Sequence, residues 1–336
     1  MGEALPHDQL ARLATGYWIS QAIYVAAKLG LADLLGGGPQ TAEQLADATG
    51  SHAPSLYRLL RALASVGVFA VDQERRFALT PLAQCLKSDV PGSQRAMTIM
   101  MGEEHFRAWG ELLHSVRTGE PAFEKIYGQG VFEFLAEHPE QGRIFDEAMS
   151  GIHGRETGAM LEAYDFFPIR TLADVGGGNG SVLRSLLKKH PQMRGILFDL
   201  PDVMRRARAD FEAAGLLDRS KLVSGDFFES VAGGADAYLL RHIIHDWDDA
   251  KALRIIENIR RVIPQDGRLL LIESVIPPGN DEFMPKLLDL TMLVIPCGKE
   301  RTEQEYRELL ERGGFHLERI VPTSTDISVI EAHPAW

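Results

Sequence analysis

Along residues 8–90 the apolar positions recur with a helical period. Leu10, Leu13, Tyr17, Ile23 and Ala27 roughly mark one face of a first helix, which Gly30 ends. Thr41 and Gln44 have the spacing of a capping box. Gly50 breaks the short helix that follows, and Leu56, Leu59, Leu60 and Leu63 form the apolar face of the next. Two short runs, 68–71 and 77–80, flank the polar turn 72–76 and predict a hairpin. This order of elements is that of a winged helix-turn-helix. Residues 93–164 then read as helical throughout. Met97, Met100 and Met101 cluster there, and Phe145 and Met149 share a face one turn apart. By spacing alone these are core positions, since Met fills gaps in any core.

From residue 171 the period changes. Short β-rich runs at 171–175, 195–199, 221–224, 237–240, 268–274, 316–321 and 327–332 alternate with helices near 180–189, 201–214, 249–262, 283–293 and 303–312. Such alternation predicts an α/β fold with a mostly parallel, doubly wound sheet. Ligands of such sheets lie at the carboxyl ends of the strands, near the switch point.

Composition narrows the function. With 336 residues, 45% hydrophobic and 24% charged, the chain has room for two domains and is not wholly disordered. It carries 35 Lys plus Arg against 47 Asp plus Glu, a net charge of −12. That balance repels phosphate backbones and anionic lipid, so neither nucleic acid nor a membrane is an expected partner. Ser55, Arg58 and Arg61 would lie on the exposed face of the winged-helix segment. Yet residues 1–95 hold eight basic and eight acidic side chains, where a DNA reader would be basic. Packing or dimerisation suits the segment better. Two cysteines, Cys85 and Cys297, exclude a disulfide scaffold and fit a reducing compartment. No apolar run approaches the ~18 residues of a membrane span. The start MGEALPHDQL lacks a basic-then-apolar secretory pattern, and Pro6 stands where a Met-Gly myristoylation signal needs Ser or Thr. A cytoplasmic protein is expected.

The stretch LADVGGGNGS is the strongest local signal. An apolar strand ends at Asp174–Val175, and Gly176, Gly178 and Gly180 open a helix directly, letting backbone approach a ligand. A dinucleotide fingerprint counted from Gly176 would end on Ser181 instead of Gly or Ala, so the spacing suits S-adenosylmethionine better than NAD. Asp199, in FDLP, ends the second strand 19 residues after Gly180. It can accept from both hydroxyls of a ribose, or cap helix 201–214. In SGDFFES, the Asp226 carboxylate can accept from an adenine amino group and Phe227 can cover the adenine face, although Asp226 reads equally well as a turn residue.

A second strong signal is RHIIHDW, after the fourth strand, where Arg241, His242, His245, Asp246 and Trp247 fall within seven residues. An imidazole titrates near neutrality, which suits His245 to general-base work. The competing reading has Asp246 or Asp248 cap helix 249–262 and leaves His245 on the surface. No Cys or further His stands at ligand spacing, so no metal is expected. Glu273 ends the fifth strand at the same rim, and Glu300 follows in IPCGKERT. Both could hold the His245 ring by hydrogen bonds. Glu300 alone reads equally as a solvated charge, and Cys297 as a pocket thiol or a buried one.

With DVGGGNG, FDLP, GDFF, HDW and GKERT in this order, nearly the whole chain resembles the S-adenosylmethionine-dependent O-methyltransferases of the caffeic acid, isoflavone and acetylserotonin type, bacterial natural-product members included. The resemblance implies a Rossmann-like class I methyltransferase domain (166–336) joined to an N-terminal, mainly helical winged-helix dimerisation domain (1–95). A helical linker and acceptor-pocket region (96–165) lies between them. It implies cofactor contacts from Asp174, Gly176, Gly178, Asp199 and Leu200, from Asp226 and Phe227 at the adenine, and from Arg241, where the family often has Lys. His245 matches the catalytic base, with Asp246 beside it and Glu273 and Glu300 as flanking acids. Phe145, Met149 and Met292 fall where the family lines its acceptor pocket. His242 joins them, at a place often aromatic in plant members. The loop between Met292 and Glu300 is shorter than in those members. The implied reaction moves a methyl group from S-adenosylmethionine to a hydroxyl of a small aromatic metabolite, leaving S-adenosylhomocysteine, in a homodimer. Two other readings compete: a small-molecule-sensing winged-helix regulator, against which the neutral segment speaks, and the same fold with hydroxylase or cyclase chemistry, against which His245 and Glu300 speak.

Overall fold

The two hydrophobic periods correspond to two compact units, one formed by the chain up to Gly110 with Val131–Gly154, the other by Glu111–Gly130 with the chain from Arg155 on. The computed structural model describes residues 5–335, the side chains of Ile152 and His153 excepted. The Met-Gly start and Trp336 therefore lie outside the described residues. The long helix Pro139–Ala163 runs through the boundary, so the segment 96–165 is shared between the units.

In the first unit the expected capping box forms in both directions. Thr41 Oγ1 accepts from Gln44 N (3.3 Å) and Gln44 Oε1 from Thr41 N (2.9 Å), starting helix Ala42–Thr49. Helix Ala53–Ser65 follows, and then strands β1 (Phe69–Val71) and β2 (Phe77–Leu79) pair antiparallel as the wing. Asp72 closes the hairpin by accepting from Arg76 N at 2.8 Å. Leu31, Leu45, Leu60, Phe69 and Phe77 form the buried core. The expected first helix is two helices, Pro6–Ala14 and Gly16–Lys28. The break has a local cause: the Thr15 hydroxyl bonds back to the Ala11 carbonyl at 2.7 Å, and glycine follows. Of the face predicted there, Ala27 is buried, whereas Leu10 (68% exposed), Leu13 (74%) and Tyr17 (53%) point outward.

In the second unit, five strands run parallel: β3 (Thr171–Val175), β4 (Arg194–Asp199), β5 (Ser220–Ser224), β6 (Ala237–Arg241) and β7 (Arg268–Ile276). A two-residue strand, β8 (Arg301–Thr302), pairs with the end of β7. β9 (Phe315–Pro322) and β10 (Ile327–Pro334) complete the order β5-β4-β3-β6-β7-β10-β9, with β10 antiparallel to both neighbours. Helices cover both faces, so the central strands are apolar on both sides. Leu269 and Leu271 of β7 enter one core, and Leu270 and Ile272 enter the other. The order reverses between β3 and β6, and the carboxyl ends of these two strands carry the two strongest sequence signals.

Among the described residues no single helix is long and apolar enough to cross a membrane. One pair bent by 59°, Pro6–Lys28 with Leu31–Gly37, passes by length and composition.

Candidate active site

At the end of β3 the chain turns on glycines. Gly176 has φ +69° and Gly178 φ +58°, conformations that side-chain-bearing residues rarely adopt. A Cβ on Gly176 would lie 2.6 Å from Ile243 Cδ1 and 3.4 Å from the Phe227 ring, so the bare backbone permits three segments to meet. Asp174 is buried below the turn with Oδ2 unpartnered. Burial holds its carboxyl up at about 7, with Arg241 opposing and Asp199 reinforcing. Asp199, at the end of β4, accepts from Gly178 N (2.9 Å) and from Leu200 N (2.7 Å). It does not cap the following helix, whose N-cap is Leu200 without a side-chain bond. The Leu200 side chain is exposed. Asp226 Oδ1 accepts from Phe228 N at 2.8 Å, a turn role, while Phe227 and Phe228 pack edge-on against Trp247.

At the end of β6, Arg241 donates to Thr157 Oγ1 (2.8 Å). His242 follows at φ +52°, a left-handed conformation for a residue with a side chain. Its Nε2 bonds Glu156 Oε2 at 2.8 Å, and its ring lies 5.0 Å from that of His245, centroid to centroid. His245 sits in the one-turn 3₁₀ segment Ile244–Asp246 and is buried, not a surface residue. The cap of the next helix is Asp248, accepting from Lys251 N. Glu300 is likewise buried instead of solvated, and its Oε1 lies 2.7 Å from His245 Nδ1. Glu273 plays a different part. Its Oε1 accepts from the amides of Ile243 (3.1 Å) and Ile244 (2.9 Å), and its Oε2 stands 3.6 Å from His245 Nδ1.

These neighbours change the proton chemistry expected of a free imidazole. Burial alone would lower the His245 pKa, but the charges of Glu273 and Asp246 and the Glu300 hydrogen bond outweigh it and push it up to about 10. Burial raises Asp246 to about 6, with the facing His245 opposing. Glu156 stays lowered despite burial because His242 donates to it. The expectation that no donors gather at metal spacing needs correction: atoms of His242, His245 and Glu273 lie within 4.8 Å of one another. The spacing along the chain hid this because β7 brings Glu273 alongside β6.

Within the second unit the structure thus gathers the glycine turn, Asp199, Arg241, His242, His245, Asp246, Glu273 and Glu300 at one rim. Met292 is buried in the same unit. Phe145 and Met149 belong to the first unit, half-buried against its core. A cavity of about 600 Å³ in that unit, near Lys28, Arg95 and Arg143, is lined by none of the expected site residues. Cys297 is partly buried, with φ +67° and its thiol pushed up by burial. Sequence reading missed Glu156, Thr157 and Arg301. The first two lie on a long helix remote in sequence and without motif; Arg301 stood inside GKERT.

Residues 109–316 match the family described as the O-methyltransferase domain, and residues 11–89 the O-methyltransferase dimerisation domain. The phenazine O-methyltransferase PhzM of Lysobacter antibioticus is 46% identical over 325 residues, 97% of this chain and 95% of that protein. The phenazine-1-carboxylate N-methyltransferase of Pseudomonas aeruginosa is 36% identical, over 96% of each. Among solved structures, LaPhzM superposes with a TM-score of 0.94 at 45% identity, covering 98% of this chain and 100% of that one. CalO1, a methyltransferase of calicheamicin biosynthesis in its SAH-bound form, gives 0.86 at 36% identity over the full length of both. The chain belongs to the O-methyltransferase family, with a class I methyltransferase fold and a dimerisation domain, and the family implies S-adenosylmethionine as methyl donor.

Because Glu300 favours the imidazolium, Glu300→Gln should lower the His245 pKa. Titration of labelled histidine by NMR reads this, and an unmoved titration would contradict the pairing.

Proposed function

We propose that this chain methylates a hydroxyl oxygen of a small aromatic metabolite, with His245 as general base. The observation that carries the reading is the buried His245–Glu300 pair at 2.7 Å, on the rim that also holds the glycine turn. The residues fit the donor. Asp174 offers a buried, unpartnered carboxylate oxygen, and Gly178 presents bare left-handed backbone with nothing within 4 Å of where a Cβ would stand. Gly176, Gly178, Asp199 and Leu200 would hold the ribose side, Asp226 and Phe227 the adenine, and Asp174 and Arg241 the amino-acid end. Bound there, S-adenosylmethionine supplies a methyl carbon made electrophilic by its sulfonium. His242 and Met292 are proposed acceptor-pocket residues within the second unit.

A phenol ionises near ~10, as Tyr does, so little is anionic at neutral pH. Glu300 accepts from Nδ1–H of His245, which leaves the Nε2 lone pair to take the acceptor proton. Raised basicity brings the imidazole close to a phenol in proton affinity, so the transfer is nearly thermoneutral, and base assistance of this kind is typically worth ~10²–10⁴-fold. Asp246 and Glu273 stabilise the imidazolium that results. In this reading the donors His242, His245 and Glu273 hold protons and main chain instead of an ion: Nδ1 of His245 is taken by Glu300 and Glu273 Oε1 by two amides. Transfer to nitrogen, as the name of the Pseudomonas relative describes, needs no such base when the nitrogen carries a lone pair. The His–Glu pair therefore favours oxygen here.

The dimerisation domain and the outward Leu10, Leu13, Tyr17 and Trp18 support a homodimer in which a second copy covers this face.

His245→Ala should lose most of kcat while binding S-adenosylhomocysteine with parental affinity by calorimetry; a methylation rate within about twofold of the parent would exclude the base role. Light scattering should give about twice 37.2 kDa for the parent, and Leu10→Asp with Leu13→Asp should shift it toward monomer. A monomeric parent would refute the dimer.

A further inference from the structure

The segment that delivers Glu300 also grips the main chain around His245. Arg301 is fully buried on β8, paired with Val275 of β7. A guanidinium owns five N–H donors, and five contacts meet them. Nε and Nη2 donate to Asp249 Oδ1 (3.1 and 2.8 Å), Nη1 to the carbonyls of Ile244 (2.9 Å) and Lys299 (3.3 Å), and Nη2 to that of Trp247 (3.0 Å). Ile244 and Trp247 bracket His245 and Asp246. Between them, the His245 carbonyl accepts from Lys299 N at 2.9 Å. Gly298 runs so close that a Cβ there would lie 2.0 Å from that carbonyl oxygen and 2.5 Å from the Asp246 carbonyl carbon.

This grip matters because the turn holds itself weakly. A single 3₁₀ turn has poor hydrogen-bond geometry, and here the bonds Asp246 N to Ile243 O (3.2 Å) and Trp247 N to Ile244 O (3.4 Å) are long. A general base must nevertheless sit within about 0.5 Å of its working position. Glu273 fixes the amides on the entry side of the turn, and Arg301 with Lys299 fixes the carbonyls on its exit side. Burying a guanidinium is costly unless it is fully paired, and Asp249 together with three carbonyls supplies that pairing. The contacts of Arg301 go to main chain and Asp249 and not to the imidazole ring, so its influence on His245 is geometric.

We propose that Arg301 is a positioning residue for the methyl transfer: with the close approach that Gly298 permits, it fixes the turn 244–247 so that His245 keeps Nδ1 on Glu300 and presents its other edge to the acceptor. This rests on the general-base reading above. Two consecutive residues, Glu300 just before β8 and Arg301 on it, thereby supply the carboxylate that orients the ring and the guanidinium that orients the backbone carrying it.

Arg301→Lys keeps the charge and loses the planar fork. Assayed on the full chain with a phenolic acceptor found by panel, it should lower kcat about 10²-fold, the usual cost of a displaced catalytic group. KM and S-adenosylhomocysteine affinity should stay within about twofold. The apparent pKa of the kcat–pH profile should stay put, while the NMR signal of labelled His245 changes. Gly298→Ala presses on the same turn from the main-chain side, so it should reproduce the kcat loss, and it decides the matter alone should Arg301→Lys fail to fold. Folded variants that bind S-adenosylhomocysteine and keep kcat within about twofold would overturn the proposal. So would a pKa shift as large as that of Glu300→Gln, which would make the effect one of charge. His245→Ala in the same series separates the two claims. If it stays active, the base reading falls; if it is dead while both clamp variants are active, only the clamp falls.

Discussion

A carboxylate buried against an imidazole, Glu300 on His245, constrains everything around it in the second unit. Charges cannot be taken from water unless partners replace the water, and here the partners come from four segments. Glu273 enters from β7, Asp246 from the turn itself, Glu156 through His242 from the long helix, and Arg301 from β8. The Glu300 amide is in turn held by Asp289 at 2.9 Å. Glu273, Asp246 and Glu300 raise the proton affinity of the ring against its burial, which is why an imidazole that would titrate near neutrality in water is pushed far above it.

The sheet makes this possible by geometry. Parallel strands end at one rim, so the glycine turn after β3 and the histidine loop after β6 become neighbours although some sixty residues separate them. The Ile243 side chain occupies the space that a Gly176 Cβ would need, and Phe227 closes in from the strand beyond. In the proposed reading, the bare backbone of the turn and the histidine side chains of the loop are the two halves of one site.

Much of this was legible in the chain. Alternation of β and α runs marked the strands of the large sheet within one or two residues, all but the two-residue β8, because buried parallel strands need apolar residues on both faces and their turns need Gly, Pro and Asp. The Thr41–Gln44 cap and the wing were local chemistry and could be read locally. What escaped was long-range. Whether Glu300 was a solvated charge or the partner of His245 depended on where β8 docks beside β7, and the residues of the loop do not encode that alone. Glu156 and Thr157 sit mid-helix with no pattern to distinguish them. The break at Thr15 came from one hydroxyl competing for a backbone carbonyl, against a helical periodicity that runs straight through it. The outward direction of Leu10 and Leu13 follows from the same helix period, but a period identifies a face without saying which surface covers it.

The most direct measurement is the pH dependence of kcat/KM with a phenolic acceptor, in the parent and in Glu300→Gln. A base whose pKa lies far above neutrality is mostly protonated at pH 7, so the parent rate should climb with pH through the neutral range and level only near the raised pKa. Removing the Glu300 charge lowers the folded-state pKa, so the variant should level at lower pH and reach a lower plateau. A parent profile flat from pH 6 to 9, or a variant profile that levels where the parent does, would contradict a methyl transfer driven by an imidazole that buried acids hold.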